Sequence, residues 1–181
     1  MAAIVYSTDT YASSQAITDA GLGNDITQTF SYVTGASLAL LITDYIRLCK
    51  LPRGAIITNW YMFVPDIESS TGALLVSLGL GGNANLDNLG AVLAAATPLA
   101  FLSSSVIGRA GGHINPLFQV DIAGANLAVA SGVVAQALPS APLIADQDLI
   151  LTATAAATAA GAGGTLKGYV TYNMHYPSAK F

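Results

Sequence analysis

The chain has 181 residues, of which 53% are hydrophobic and only 9% charged, with six Lys and Arg against ten Asp and Glu for a formal net charge of -4. That balance excludes a disordered chain, which needs low hydropathy and high charge, and it argues against nucleic-acid binding, since the few cations are scattered along the sequence. The length fits one domain, whose surface these charges are too few to cover; Ser, Thr, Asn and Gly must supply most of the wetting, and partner chains are expected to bury part of the remainder.

No run reaches the about 20 apolar residues that a membrane span requires. Residues 89–102 are broken by Thr97 and Pro98, and residues 120–138 by Asp121, Asn126 and Gln136. Residues 1–7 lack a basic stretch followed by an apolar run, so no secretory leader is visible and synthesis in the cytoplasm is expected. Cys49 is the single cysteine, which forbids an internal disulfide and any multi-cysteine metal site.

Residues 1–35 are rich in Ser, Thr, Asp and Ala and show little sustained periodicity, with Tyr6, Tyr11, Phe30 and Tyr32 set among polar residues. They read as an extended N-terminal arm ahead of one domain, 36–181, with turns at Gly21, Gly23 and Asn24. Leu38, Leu40 and Ile42 then alternate with smaller residues, and Tyr45–Leu51 continues as strand. Pro52-Arg53-Gly54 supplies turn chemistry before the run Ala55–Val64. Strict alternation there puts Ile56, Thr58, Trp60, Met62 and Val64 on one face and Ile57, Asn59, Tyr61 and Phe63 on the other. Both faces are largely apolar, which predicts a strand inside a sandwich whose outer side meets a second layer or a neighbouring subunit.

Pro65, Asp66 and residues 69–72 predict a loop, and Leu74, Val76, Leu78 and Leu80 a further strand ending at Gly81-Gly82-Asn83. Residues 89–102 are Ala-rich enough for one or two helical turns, Gly90 and Pro98 limiting them. Residues 109–112 read as loop, 117–122 as a half-buried strand and 127–134 as a shorter one. Asp146-Gln147-Asp148 leads into a strand at 149–154, and 165–176 alternates Leu166, Val170, Tyr172, Met174 and Tyr176 against Lys167, Tyr169, Thr171, Asn173 and His175. The Ala/Gly tract between them predicts a terminal antiparallel hairpin with its turn near 161–164. Seven or eight short strands divided by Gly, Pro, Asn and Ser clusters define an all-β antiparallel β-sandwich, jelly-roll-like, with an immunoglobulin-like sandwich as the alternative.

Chemistry is sparse in this sequence. His113 follows Gly111-Gly112, but no Gly-x-Ser-x-Gly elbow accompanies it, and no catalytic residue is assigned. His175, beside Tyr176 at the end of the last strand, reads as a surface or interface residue. Asp146 with Asp148, and Asp66 with Glu68, have the spacing of oxygen ligands for a hard cation, yet no acidic twelve-residue loop surrounds either pair, so no metal or cofactor is assigned. Lys50 beside Cys49 could lower a thiol pKa, although packing is the expected role. Gly79-Leu80-Gly81-Gly82 lacks the Lys-Ser/Thr and the helix of a phosphate loop.

The stretch Tyr45-Ile46-Arg47-Leu48-Cys49-Lys50-Leu51-Pro52-Arg53-Gly54-Ala55-Ile56-Ile57-Thr58 resembles a pattern of small virion proteins of tailed bacteriophages, in which a strand ends in a Leu-Pro-x-Gly-Ala turn. The opening Ile4-Val5-Tyr6-Ser7-Thr8-Asp9, the Leu-x-Val-Ser-Leu-Gly run at 74–79 and the Ala/Thr/Gly-rich end closing in aromatics are similar to the same family, the capsid decoration, or auxiliary head, proteins. The resemblance covers about fourteen residues well and most of the chain loosely. It implies a β-sandwich homotrimer on the exterior of an icosahedral virion shell, made in the host cytoplasm, with the major capsid protein and its own copies as partners. The sparse chemistry already read predicts no enzymatic role. Residues expected at shell or subunit contacts are Ile4, Val5, Tyr6, Tyr11, Phe30, Tyr32, Trp60 and Tyr61, with the arm, Met1 to about Tyr32, making the main contact. Residues 112–142 exceed what the pattern requires. The alternative is a virion-borne adhesin that binds host glycans, with Trp60, Tyr61 or Tyr169 stacking on sugars. A small hydrolase on the same fold has the least support.

Overall fold

The computed structural model describes residues 5–7, 16–18, 25–35, 38–68, 73–86, 92–94, 96–115, 119–121 and 141–174. They form strands β1 (Val5–Ser7), β2 (Ala16–Thr18), β3 (Asp25–Thr34), β4 (Tyr45–Leu51), β5 (Ala55–Val64), β6 (Asp66–Glu68) and β7 (Leu75–Leu80). The chain continues through β8 (Asn83–Leu86), β9 (Val92–Ala94), β10 (Thr97–Ser105), the single helical turn α1 (Ile107–Ala110), β11 (Gly112–Ile114), β12 (Gln119–Asp121), β13 (Gln147–Ala155) and β14 (Ala160–Met174). Sheet I runs β1-β4-β13-β7-β10 and sheet II runs β12-β11-β5-β14-β3-β2, with β6 paired to the first residues of β14 and β8-β9 a separate two-stranded ribbon.

The pairings nest. β3 pairs with β14, β4 with β13, β5 with β11 and β7 with β10, while β14 and β13 also reach β5 and β7. Eight strands paired first with last and folded over into two sheets are a jelly roll, so the all-β antiparallel sandwich expected from the strand spacing is the observed fold. Among the described strands only β1, parallel to β4 at one edge, departs from antiparallel pairing.

The sheets meet through their inward rows. Leu149, Leu151 and Ala153 of β13 and Val76, Leu78 and Leu80 of β7 face Trp60, Met62 and Val64 of β5 and Leu166, Val170 and Tyr172 of β14, all of them buried. Each large side chain removed from water in this way contributes about 1.5–3 kcal/mol before ordering costs. β5 shows why strict alternation misassigns part of its faces. Its pairing steps from Thr171↔Asn59 to Tyr172↔Ile57, leaving Thr58 as an extra residue. This bulge puts Ala55 and Ile57 on the buried side with Trp60, Met62 and Val64, and Thr58 turns outward, its hydroxyl donating to the Thr171 carbonyl at 3.2 Å.

Four further expectations need correction. The terminal hairpin does not form, because β13 belongs to sheet I and β14 to sheet II; residues 156–159 are a crossover, and the glycine tract opens β14, with Gly163 and Gly164 at positive φ. In place of helical turns, the described part of 89–102 holds β9 and β10: pairing of β9 with β8 and of β10 with β7 overrides alanine propensity. The loop at 109–112 gives way to α1 and the start of β11. Finally, the boundary expected at residue 35 cuts through the sandwich, since Asp25–Thr34 is a ten-residue strand between β14 and β2. Its outward Thr27, Thr29 and Ser31 masked an inward row, Gln28, Phe30 and Tyr32, that packs on or into the core. Within 117–122 the described part is β12, and the strand expected at 127–134 lies outside the described residues.

Cys49 lies wholly within the core, where burial, and after it the Asp148 carboxylate, push its thiol well above the ordinary cysteine range. The neighbouring Lys50 points outward and does not activate it. A maleimide or disulfide reagent is therefore expected to leave the native chain unlabelled and to modify it at the unfolding rate; fast labelling under native conditions would contradict this packing.

Candidate functional site

The outward row of sheet II gathers the largest set of aromatic side chains on the surface described. Register sets Lys167 of β14 opposite Phe63 of β5, and Phe63 opposite His113 of β11; Tyr169 stands opposite Tyr61 in the next row. The bulge at Thr58 lies three residues before Tyr61, so Tyr61 and Phe63 keep the outward phase while Trp60 and Met62 go inward. Tyr61 and Tyr169 stack with ring centroids 5.6 Å apart and planes at 21°, and Tyr61 and His113 stack at 5.8 Å and 29°. Phe63 closes on His113 at 5.1 Å in a tilted contact, and Lys167 Nζ lies 5.8 Å from the Phe63 ring centre.

Tyr169 and Tyr61 thus form a stacked column that His113 extends from the hydroxyl end of Tyr61, where the Tyr61 hydroxyl and His113 Nδ1 share a hydrogen bond. With the imidazole proton on Nε2, the phenol donates. Offset ring pairs of this type stabilise by about 0.5–1.5 kcal/mol beyond burial, which makes the column a rigid ridge. Beside it Thr27 and Thr171 share a hydroxyl hydrogen bond at 3.1 Å, and Val33 at the end of β3 is 66% exposed. The arrangement gives His113 a phenol as its hydrogen-bonding partner.

The acidic pairs serve structure. Asp146 accepts from the Arg53 backbone N–H at 2.8 Å and lies 3.9 Å from Lys50 Nζ, and Asp148 lies 3.4 Å from Arg47 Nε. These partners hold the 141–148 segment against the β4-β5 turn. Glu68 is buried, and its two carboxylate oxygens accept from the Leu74 and Thr158 N–H groups. Among the described residues no group of three or more His, Cys, Asp and Glu is placed to hold a metal ion, and no helix is long and apolar enough to cross a membrane.

Of the contact residues expected from the sequence, Tyr61 alone joins the ridge. Trp60 and Phe30 are corrections: at 1% and 3% exposed they belong to the chain's own core and cannot touch a sugar or a second subunit from there. Tyr32 is half-buried and packs on the same core. Val5 and Tyr6 fall in β1, on the edge of sheet I, while Ile4 and Tyr11 lie outside the described residues. Phe63, His113 and Lys167 were not expected at a contact. The alternation of Lys167 with Tyr169 gave their common face, but joining it to Tyr61 required the β5-β14 pairing.

The fold matches a chain in the capsid of Ralstonia phage GP4 over 96% of this chain and 99% of that one, with a TM-score of 0.61 and 16% identity. A second match, to a chain in the capsid asymmetric unit of cyanophage Pam1, covers 89% and 93%, with a TM-score of 0.55 and 16% identity. At this identity the likeness is one of fold. No protein-family model and no curated protein matches the sequence.

Proposed function

We propose that this chain is a structural virion protein that decorates and stabilises an assembled phage capsid, working as a β-sandwich homotrimer on the capsid exterior. The observation that carries the reading is the match, over nearly the full length of both partners, to chains of two phage capsids. The matched chains are therefore of similar size and the same all-β build, whereas a shell-forming subunit is expected to be longer and richer in helix. Low charge supports the same reading, as do the exposed Val33, Leu41, Ile42 and Ile144, which give the chain apolar surface to bury against neighbours. No enzymatic activity is proposed.

The physics of such a role is linkage. A protein that binds across several shell subunits favours the assembled shell over separated subunits by an amount that grows with its concentration over its dissociation constant. In a trimer the second and third attachments become intramolecular, so weak single contacts sum to firm attachment. Because β3 lies inside sheet II, the arm proposed to make contacts is residues 1–24, whose β1 and β2 run along the edges of sheets I and II. The glycan-binding alternative has less support: Trp60 is in the core, and one ring face of Tyr61 is taken by Tyr169.

The test is native mass by light scattering, followed by sedimentation with shells of the encoding phage stripped of this protein. A trimer that co-sediments, and a 1–24 deletion that stays folded but attaches at least about tenfold more weakly, are the expected results. A monomer that ignores the shells would overturn the reading.

A further inference from the structure

The connection from β3 to β4 ends in a turn whose residues depart from turn chemistry. Leu41–Asp44 closes with the Asp44 N–H donating to the Leu41 carbonyl at 3.0 Å, while the Asp44 carboxylate accepts from the Leu41 N–H at 2.9 Å. Tight turns favour Gly, Pro, Asn, Asp and Ser, and a turn residue at positive φ is ordinarily Gly or Asn. Here Thr43 stands at φ 77°, where a β-branched side chain is strained. The two residues before it are Leu41 and Ile42, 41% and 59% exposed. Gly at 43 would relieve the strain and polar residues at 41 and 42 would spare the exposure, so the fold of a single chain does not account for this composition.

The tip is nevertheless held rigid. The Thr43 N–H donates to the Ala153 carbonyl at 3.1 Å, the Ala153 N–H donates to the Asp44 carbonyl at 2.9 Å, and from the crossover the Ala157 N–H donates to the Leu40 carbonyl at 2.8 Å. Leu40 and Asp44, on either side of the exposed residues, are buried. A tip anchored at both ends loses little further freedom when it docks. Neither run of chain that meets here is charged: residues 26–43 and 149–166 contain no Asp, Glu, Lys or Arg. The surface that fits this tip is therefore uncharged and apolar, since a charged group covered by it would be desolvated without a partner.

Area decides between a second copy and the shell. Leu41 and Ile42 expose on the order of 200 Å², about a quarter of the roughly 800 Å² per partner that a stable interface buries. So small a contact does not hold two subunits together in solution. It does suit a site where several tips on one rigid oligomer dock at once, the later attachments being intramolecular. We infer that the Leu41-Ile42 tip plugs into an uncharged apolar pocket of the shell protein, one tip from each subunit. The inference rests on the decoration reading and adds a rigid anchor to the contacts proposed for residues 1–24.

The experiment uses the full-length chain and stripped shells. Thr43→Cys, beside the two anchor residues, is labelled with benzophenone maleimide, which reaches this thiol and not the buried Cys49, and is irradiated on the shells. The expected product is a crosslink to the shell protein; its absence, or a crosslink joining two copies of this chain in its place, would overturn the inference. In co-sedimentation Ile42→Asp is expected to attach at least about tenfold more weakly, because each docked tip would bury a carboxylate without a partner, and Ile42→Ser by a smaller factor. Both should keep the native mass and melting midpoint of the wild type, as substitutions at exposed positions do; a fall in native mass would assign the tip to a second copy instead. Ile144→Asp, at a residue 70% exposed beside the β4-β5 turn, is expected to attach like wild type. If Ile42→Asp and Ile42→Ser attach like wild type, or Ile144→Asp loses as much as Ile42→Asp, the tip is not the anchor while decoration stands. Failure of the wild type to attach overturns both.

Discussion

Replacing Glu68 with Ala is expected to destabilise the fold by about 3 kcal/mol, the range for stripping a buried, hydrogen-bonded charge from its donors, and to lower the melting midpoint by roughly 6–12 °C. Glu68 has no exposed surface, and Leu74 N–H donates to one carboxylate oxygen at 2.5 Å while Thr158 N–H donates to the other. One side chain thereby fixes both the segment entering β7 and the crossover that carries the chain from sheet I to sheet II. Burial by itself would raise its pKa, but the N–H groups of Thr158, Leu74, Ala73 and Ala159 outweigh it and hold the carboxyl below the ordinary glutamate value. The unfolded chain therefore takes up the proton first as pH falls. The stabilisation is complete above the unfolded pKa of about 4.3 and disappears as pH drops through the lower, folded value. Glu68→Gln should lose most of the same stability at neutral pH and flatten the acid limb of the curve. Unfolding by denaturant at a series of pH values checks both, and a variant with wild-type stability and acid response would refute the assignment.

A methyl group at Gly168 is expected to be at least as damaging. Gly168 sits inward on β14, paired with Phe30 on one side and Met62 on the other. A Cβ there would come within 2.1 Å of the Tyr61 carbonyl oxygen, 2.7 Å of Phe30 Cζ and 3.0 Å of Met62 Cα. Two of these are backbone atoms of the adjacent strand, so relief requires the β5-β14 ladder to part. Overpacking of this kind costs about 3 kcal/mol or more, and Gly168→Ala should fold poorly or with a sharply reduced denaturant midpoint. Gly81→Ala is the matched control: its nearest neighbour is Ile150 Cγ2 at 3.4 Å, ordinary contact, and the change should stay within about 0.5 kcal/mol. Equal effects at the two sites would mean that sheet II does not have this register.

The strands that alternate over an apolar row were legible from sequence, as β4, β7, β13 and the last strand show. Which sheet each one joins was not. Leu149, Leu151 and Ala153 have the same period whether their partner is β14 or β4 and β7, so the crossover at 156–159 looked like the turn of a hairpin. β3 was hidden because Thr, Gln and Ser fill most of it and Phe30 and Tyr32 looked isolated. The phase change at Thr58 is a pairing event with no local signal, and it decided which side of β5 faces the core. The ridge has the same limit: Lys167, Tyr169, Tyr61, Phe63 and His113 come from three strands separated by up to about a hundred residues, and only the folded register makes them neighbours. Trp60 was misplaced for the opposite reason, since a lone tryptophan reads equally well as core or contact until its neighbours are known.

The nesting of first strand with last governs how the chain can fold during synthesis. Gln28 finds Val170, and Ile46 finds Leu151, only after more than a hundred intervening residues have been made. Sheet I cannot close on a nascent chain until β13 has emerged, nor sheet II until β14 has, because these two strands supply the middle of their sheets. Folding dominated by such distant pairings is slow, on the order of milliseconds to seconds. During that interval the apolar edges that will later be central strands are open to other copies. Yield is then set by how quickly β13 and β14 reach their places once they have been made, and cooler, slower expression should favour soluble protein over inclusion bodies.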